Sequence, residues 1–302
     1  MKHKTSITLI LLVMFLVTQF IGLYVVNHYL QEENPLPYGM DTPQVEKETD
    51  FYTSFLPSVI IAFVFAIGII FLLTHFKIDF ILKAWFFFVV ALALGLAFNA
   101  IIPKFAYSQI ILLVVAIPLA WFKIYRKNFL LHNGTELLIY PGIAAVFVGI
   151  FNLWTIIILL IIISIYDAWA VWHSGIMQKM AKYQINKLNV FSGFFIPYTS
   201  KAMRKKIKNW KKTLTKKQLK KKSMKVNVAI LGGGDVIFPI ITAGVMMKVF
   251  GSIIPSLFVI FGALAGLAFL MIKGDKKKFY PAMPFITAGM FIGMILYWII
   301  LL

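Results

Sequence analysis

Val226-Asn227-Val228-Ala229-Ile230-Leu231-Gly232-Gly233-Gly234-Asp235-Val236-Ile237-Phe238-Pro239 opens an apolar run that continues to Met247 and holds one charged group, Asp235. A bilayer core of ~30 Å takes about 20 apolar residues as helix, and this run has that length. A carboxylate inside it costs at least ~2.5–3.5 kcal/mol even on lenient insertion scales, so it marks a functional site by default. Three consecutive glycines weaken a helix by about 1 kcal/mol each relative to Ala and let another backbone approach closely. Pro239 has no N–H for the carbonyl of Asp235, and its ring crowds that carbonyl. Irregular backbone at membrane depth survives where protein buries it or a wet cavity meets it. The reading is either a packing kink or a wet cavity around Asp235.

The rest of the chain repeats the apolar pattern. Of its 302 residues 61% are hydrophobic and only 14% charged, against roughly 25% charged in soluble domains. Nine runs are predicted to span: Thr5–Val26, Phe55–Leu73, Phe80–Ile102, Ser108–Ile124, Thr135–Phe151, Leu153–Trp172, Val226–Met247, Ser252–Ile272 and Pro281–Leu302. The fifth and sixth are separated at Asn152, because a merged run is too long for one span. Thr5–Val26, preceded by Lys2 and Lys4, is long for a signal peptide and lacks a small-residue cleavage site, so it reads as a retained anchor. The fold class expected is an all-α polytopic membrane protein. Its parts are an N-terminal six-helix part (1–174), a basic loop (175–225) and a C-terminal three-helix part (226–302).

Charge orients these spans. With the N-terminus inside, 27 of the 30 Lys and Arg fall on the inner side, sixteen of them between Lys179 and Lys225. Only Lys47, Lys104 and Lys248 fall outside, as does the acidic first loop. A wrong span count would scramble this alternation. The C-terminus is then outside and the 175–225 loop cytoplasmic in a cell membrane. The net charge of +19 therefore reads as a topology signal that also suits anionic lipid headgroups, not as a nucleic-acid surface.

Of eleven Asp and Glu residues, nine sit in loops or at span edges, Glu136 among them at the start of the fifth run. Asp167 and Asp235 alone lie well inside. Asp167 stands eight residues before Gly175 and Asp235 ten after Lys225, so helical rise puts both roughly 12–15 Å below the same face. Consecutive antiparallel helices bring such groups within reach of each other. Two adjacent carboxyls share one proton. One then accepts a proton from water while the other donates to a scissile carbonyl, which is what peptide hydrolysis needs. The roles belong to the pair. Pro281-Ala282-Met283-Pro284 opens the last run on the same side. Pro281 suits a first helical turn. Pro284 leaves backbone groups free, and these can pair with an extended substrate.

At these residues the chain resembles the presenilin and signal-peptide-peptidase family of intramembrane aspartyl proteases, in its archaeal presenilin-homologue branch. Tyr166-Asp167 matches the Tyr-Asp motif, Gly232-Gly233-Gly234-Asp235 the Gly-x-Gly-Asp motif, and Pro281-Ala282-Met283 the Pro-Ala-Leu motif with Met for Leu. The resemblance implies nine helices, catalytic Asp167 and Asp235, and a substrate-holding role for Pro281, Ala282 and Met283. It implies single-pass transmembrane substrates cut after local unwinding, and neither metal nor organic cofactor. The inner basic loop places the chain with presenilin-like members, which take substrates whose N-terminus is outside.

Other readings compete. A prepilin or preflagellin peptidase also uses a Gly-x-Gly-Asp aspartate, in chains with fewer spans. A channel or proton-coupled transporter also buries carboxylates beside broken helices, but Gly232–Pro239 has no matching broken segment in the first half. His3, His28, His75, His132 and His173 form no His-Glu-x-x-His pattern, which speaks against zinc, and cysteine is absent. Gly262-x-x-x-Gly266 and Gly289-x-x-x-Gly293 suit close helix packing within the chain, and the same spacing also serves a homo-oligomer. Phe191–Tyr198, an apolar island in the basic loop, reads equally as a re-entrant cover over the aspartates or as an interfacial anchor. Arg204–Lys225 reads as a surface-lying basic helix.

Overall fold

The computed structural model describes residues 5–31, 36–40, 79–126, 128–174, 192–198, 227–274 and 280–301, with isolated helical positions between 57 and 69. The elements are α1 (Thr5–Leu30), α2 (Asp79–Ile101), α3 (Ser108–Tyr125), α4 (Phe129–Ile150), α5 (Leu153–Trp169) running into a π-helical turn (Ala170–Ser174), β1 (Gly193–Tyr198), β2 (Asn227–Gly232), α6 (Gly233–Phe250), α7 (Ile254–Lys273) and α8 (Met283–Leu301). Eight helices among the described residues are long and apolar enough to cross a membrane. The predicted second span, Phe55–Leu73, lies outside the described residues but for those isolated positions, as do the basic stretch Arg204–Lys225 and nearly all of the acidic first loop.

Most predicted boundaries hold to within a few residues. The separation at Asn152 is real: its side chain accepts from Thr155 N–H at 2.9 Å, and Thr155 Oγ1 in return accepts from Asn152 N–H at 2.9 Å. This reciprocal box satisfies the first-turn donors of α5 and contributes about 1 kcal/mol. α4 begins earlier than Thr135, because Asn128 caps it by accepting from Leu130 N–H and Leu131 N–H. Its last carbonyls are taken by Lys248, whose Nζ donates to Gly149 at 2.8 Å, Val148 at 3.3 Å and Phe151 at 3.4 Å. That satisfies acceptors which the helix itself leaves open.

The seventh predicted span needs correction. Within it, Asn227–Gly232 is strand, and the helix starts at Gly233. A strand rises ~3.3 Å per residue, so the helical rise that places Asp235 at the depth of Asp167 does not apply along this stretch. The Gly193–Tyr198 part of the Phe191–Tyr198 island is strand as well. Gly193–Tyr198 pairs antiparallel with β2, from Gly193 opposite Gly232 to Tyr198 opposite Asn227. The last span also begins later than Pro281, at Met283.

α1, α4 and α6 pack against one another at the centre, with α7 against α1 and α6. Their shared core includes Leu11, Phe15, Val148, Ile240, Met246 and Ile260. α2 and α3 form a second cluster against α4 around Leu94, Ala116 and Ile139. Outward-facing side chains such as Leu9, Phe80, Ile110 and Ile299 are apolar, as contact with lipid demands.

α7 and α8 meet backbone to backbone. A Cβ built on Gly262 would stand 2.2 Å from the Gly289 carbonyl oxygen, and one on Gly289 would stand 2.1 Å from that of Gly262. Gly266 faces Phe285 O and Gly293 faces Phe258 O equally closely. Both glycine pairs thus serve packing within the chain. Gly262→Ile or Gly289→Ile must push the helices apart. Either is expected to lower stability by about 1–3 kcal/mol or more, read as a fall in the thermal midpoint of the purified protein in detergent. An unchanged midpoint would contradict the contact.

Candidate active site

Asp167 lies near the end of α5, just before the π-helical turn, and is 5% exposed. The N–H of Met283 donates to its Oδ2 at 3.0 Å. This bond follows from how α8 starts. Phe285 N–H and Ile286 N–H both turn back to the carbonyl of Ala282. Pro284 has no N–H. Met283 N–H is therefore the first-turn donor left over, and it points at the carboxyl with the positive end of the helix dipole behind it. The Ala282 backbone is close enough to act on the carboxyl, and Pro281, the residue before it, is buried. Asp167 Oδ1 is buried without a hydrogen-bond partner among the described residues. One turn before Asp167, Ser164 Oγ donates to Thr287 Oγ1 at 2.9 Å and fastens α5 to α8 a second time.

Asp235 occupies the first turn of α6, partly exposed, three residues after the strand-to-helix junction. The glycines before it are not equivalent. A Cβ on Gly232 would stand 3.2 Å from Asp235 Oδ2. A Cβ on Gly233 would stand 2.7 Å from Ser192 Oγ and 2.8 Å from Tyr140 Oη. At Gly234, which is exposed, the nearest atom would be 3.8 Å away. From α1, Gln19 Nε2 donates to the Val236 carbonyl at 3.0 Å, bracing the turn that Pro239 weakens.

The structure thus joins Asp167 to Ala282 and Met283, sets Gly232, Gly233 and Asp235 together at one junction, and packs α5 against both α6 and α8. It does not turn Tyr166 inward: that side chain is 57% exposed and tilts against Trp169 with ring centroids 6.3 Å apart.

Several residues near the site escape the sequence reading. Glu136 is not at a span edge. It is 1% exposed and pairs with Lys123 at 2.6 Å. Gln19, Ser164 and Thr287 resemble ordinary polar residues in apolar runs. Asn128 as a helix cap would have signalled the earlier start of α4 and so the depth of Glu136.

Gly233→Ala is expected to displace β1–β2 from α4, because Tyr140, 2% exposed, has no room to yield. Gly234→Ala meets only an ordinary van der Waals contact with Phe238. Thermal unfolding is expected to show a clear loss for the first and little change for the second; equal midpoints would contradict the crowding at Gly233.

Comparison with known proteins gives the family and the fold. The family model described as signal-peptide peptidase, presenilin aspartyl protease matches residues 12–301. A solved structure of a presenilin family intramembrane aspartate protease, in space group C222, superposes with a TM-score of 0.61 at 18% identity, over 96% of this chain and 97% of that one. A second such structure, in space group P2, gives 0.58 at 17% identity, over 95% of each chain. None of the curated proteins compared matches the sequence. With a family match spanning nearly its whole length and a shared fold, this multi-pass membrane chain belongs to the signal-peptide peptidase and presenilin family of aspartyl proteases.

Proposed function

We propose that this chain is an intramembrane endopeptidase in which Asp167 and Asp235 together hydrolyse a peptide bond of a single-pass transmembrane substrate. The observation that carries the reading is the Met283 N–H bond to Asp167 Oδ2, with Oδ1 left buried and unpartnered among the described residues. It fixes one carboxyl oxygen and leaves the other to face a reactant. One carboxyl of the pair is ionised and takes a proton from water as the water oxygen bonds to the scissile carbonyl carbon. The other gives its proton to the carbonyl oxygen. The tetrahedral intermediate then collapses, the C–N bond breaks, and the leaving nitrogen takes up a proton.

The sheet supports a way to present the substrate. Phe195 directs both its N–H and its C=O at Asn133, away from β2. Ile230, opposite Phe195, is then in a non-hydrogen-bonded pair and aims its own backbone groups at the far edge of β2. Val228 and Gly232 share that edge by the two-residue period. No third strand occupies it among the described residues, and it ends three residues before Asp235. A helix unwound near its end can add there as a strand, with Pro281, Ala282 and Met283 at the opposite wall. The charge pattern supports an inner N-terminus, a cytoplasmic basic loop in contact with anionic headgroups, a cell-membrane location and substrates with an outer N-terminus.

Purified protein with a labelled single-span substrate tests the reading. Asp167→Asn and Asp235→Asn are each expected to abolish detectable cleavage while retaining the wild-type thermal midpoint. Folded mutants that cut at the wild-type rate would remove the pair from the mechanism and return the channel or transporter reading to the front.

A further inference from the structure

A second set of buried polar side chains stands against β1, and the proposed reaction does not use it. Lys123 of α3 and Glu136 of α4 pair at 2.6 Å with side chains 2% and 1% exposed. His132 joins them, its Nδ1 3.3 Å from Lys123 Nζ and its Nε2 3.4 Å from Glu136 Oε1. The cluster is aimed at β1. His132 Nε2 lies 2.9 Å from Gly193 O, and Gly193 N–H donates to Glu136 Oε1 at 3.4 Å. Two residues along the strand, Asn133 accepts from Phe195 N–H at 3.1 Å and donates to Phe195 O at 2.9 Å. The α4 side chains thus act as a surrogate strand along the β1 edge that faces away from β2. The next residue on that edge is Pro197, which has no N–H to leave unpaired.

A one-residue slip of β1 would put the wrong groups opposite Asn133 and Glu136, so the clasp specifies register. β1 in turn sets the register of β2, whose last residue leads into the turn bearing Asp235.

We propose that Asn133 and Glu136, with Lys123 and His132 holding Glu136 in place, are positioning residues that fix the β1–β2 sheet and through it the placement of Asp235 and of the substrate edge. The part concerning substrate rests on the reading of Asp235 and the β2 edge given above.

The test compares the full-length wild type, Asn133→Ala, Glu136→Gln, Asn99→Ala and Asp235→Asn in lipid nanodiscs. Asn99 donates to Tyr29 Oη far from the sheet and controls for loss of a buried hydrogen bond as such. Two readouts are taken: amide hydrogen exchange over 193–198 and 227–235, and cleavage of a single-span substrate, with kcat, KM and the cut position read by mass spectrometry. Asn133→Ala is expected to speed exchange across both strands and through Asp235 by about tenfold, the effect of losing one or two buried hydrogen bonds. Its kcat is expected to fall about tenfold, more than KM changes, with cuts spread over neighbouring bonds. Glu136→Gln keeps an oxygen for Gly193 N–H but leaves Lys123 buried without its counter-charge, and is expected to speed exchange over the strands at least as much as Asn133→Ala. Asn99→Ala is expected to keep the wild-type cut position and the wild-type exchange over these strands. Unchanged exchange over the strands in Asn133→Ala would overturn the clasp whether or not any variant cleaves. Faster exchange in the strands that stops short of residues 233–235, or one unshifted cut position with unchanged kcat, would overturn its link to the site. Equal cleavage by wild type and Asp235→Asn would instead count against the catalytic reading, and exchange alone would then judge the clasp.

Discussion

A backbone N–H or C=O buried away from water and left unpaired costs several kcal/mol. The helices meet that demand within themselves. The two strands cannot, and much of what surrounds them answers to their backbone groups. β2 serves one edge of β1, and Asn133, Glu136 and His132 serve the other. The cluster's charges are bearable because Lys123 and Glu136 neutralise each other in place; either alone would be an uncompensated buried ion. A few polar residues on two helices thereby allow extended backbone where a helix would be the default.

The same demand shapes both aspartates. Asp167 receives the N–H that the start of α8 has no internal use for, since Pro284 brings none and the next two donors return to Ala282. Asp235 stands in the opening turn of its helix, where Pro239 removes the donor its carbonyl would otherwise meet. Each carboxyl thus sits where a helix begins or gives way to another geometry. Such places expose polar backbone to a reactant without exposing it to lipid.

Much of this was legible in the sequence. Apolar length marks nine runs, and the eight long apolar helices among the described residues correspond to eight of them, with shifted starts at the fifth, seventh and ninth; the Phe55–Leu73 run falls outside the described residues but for isolated helical positions. Asp167, Asp235 and the Pro281–Met283 segment stand out because charge and proline are rare in such runs. The strands were not legible. Asn227–Leu231 is apolar and short, and periodicity does not separate such a stretch from the end of a buried helix. Gly232–Gly234 reads as a weak helix when each glycine is considered alone. The structure shows a junction in which Gly233 makes room for Ser192 and Tyr140, while a Cβ at Gly234 would meet only an ordinary contact with Phe238. Glu136 was placed at a span edge because the Asn128 cap that lengthens α4 was not recognised.

The glycine contacts between α7 and α8 carry a mechanical consequence. Carbonyl oxygens seated where side chains would be leave the two helices little freedom to slide, so they move as one stiff rod. α8 is 19 residues long, or about 28 Å. A tilt of about 3° pivoting at its far end carries Met283 through about 1.5 Å, enough to break a 3.0 Å hydrogen bond to Asp167. Spanning helices adjust tilt to bilayer thickness. A tilt of that size would act on the Asp167 carboxyl through backbone alone.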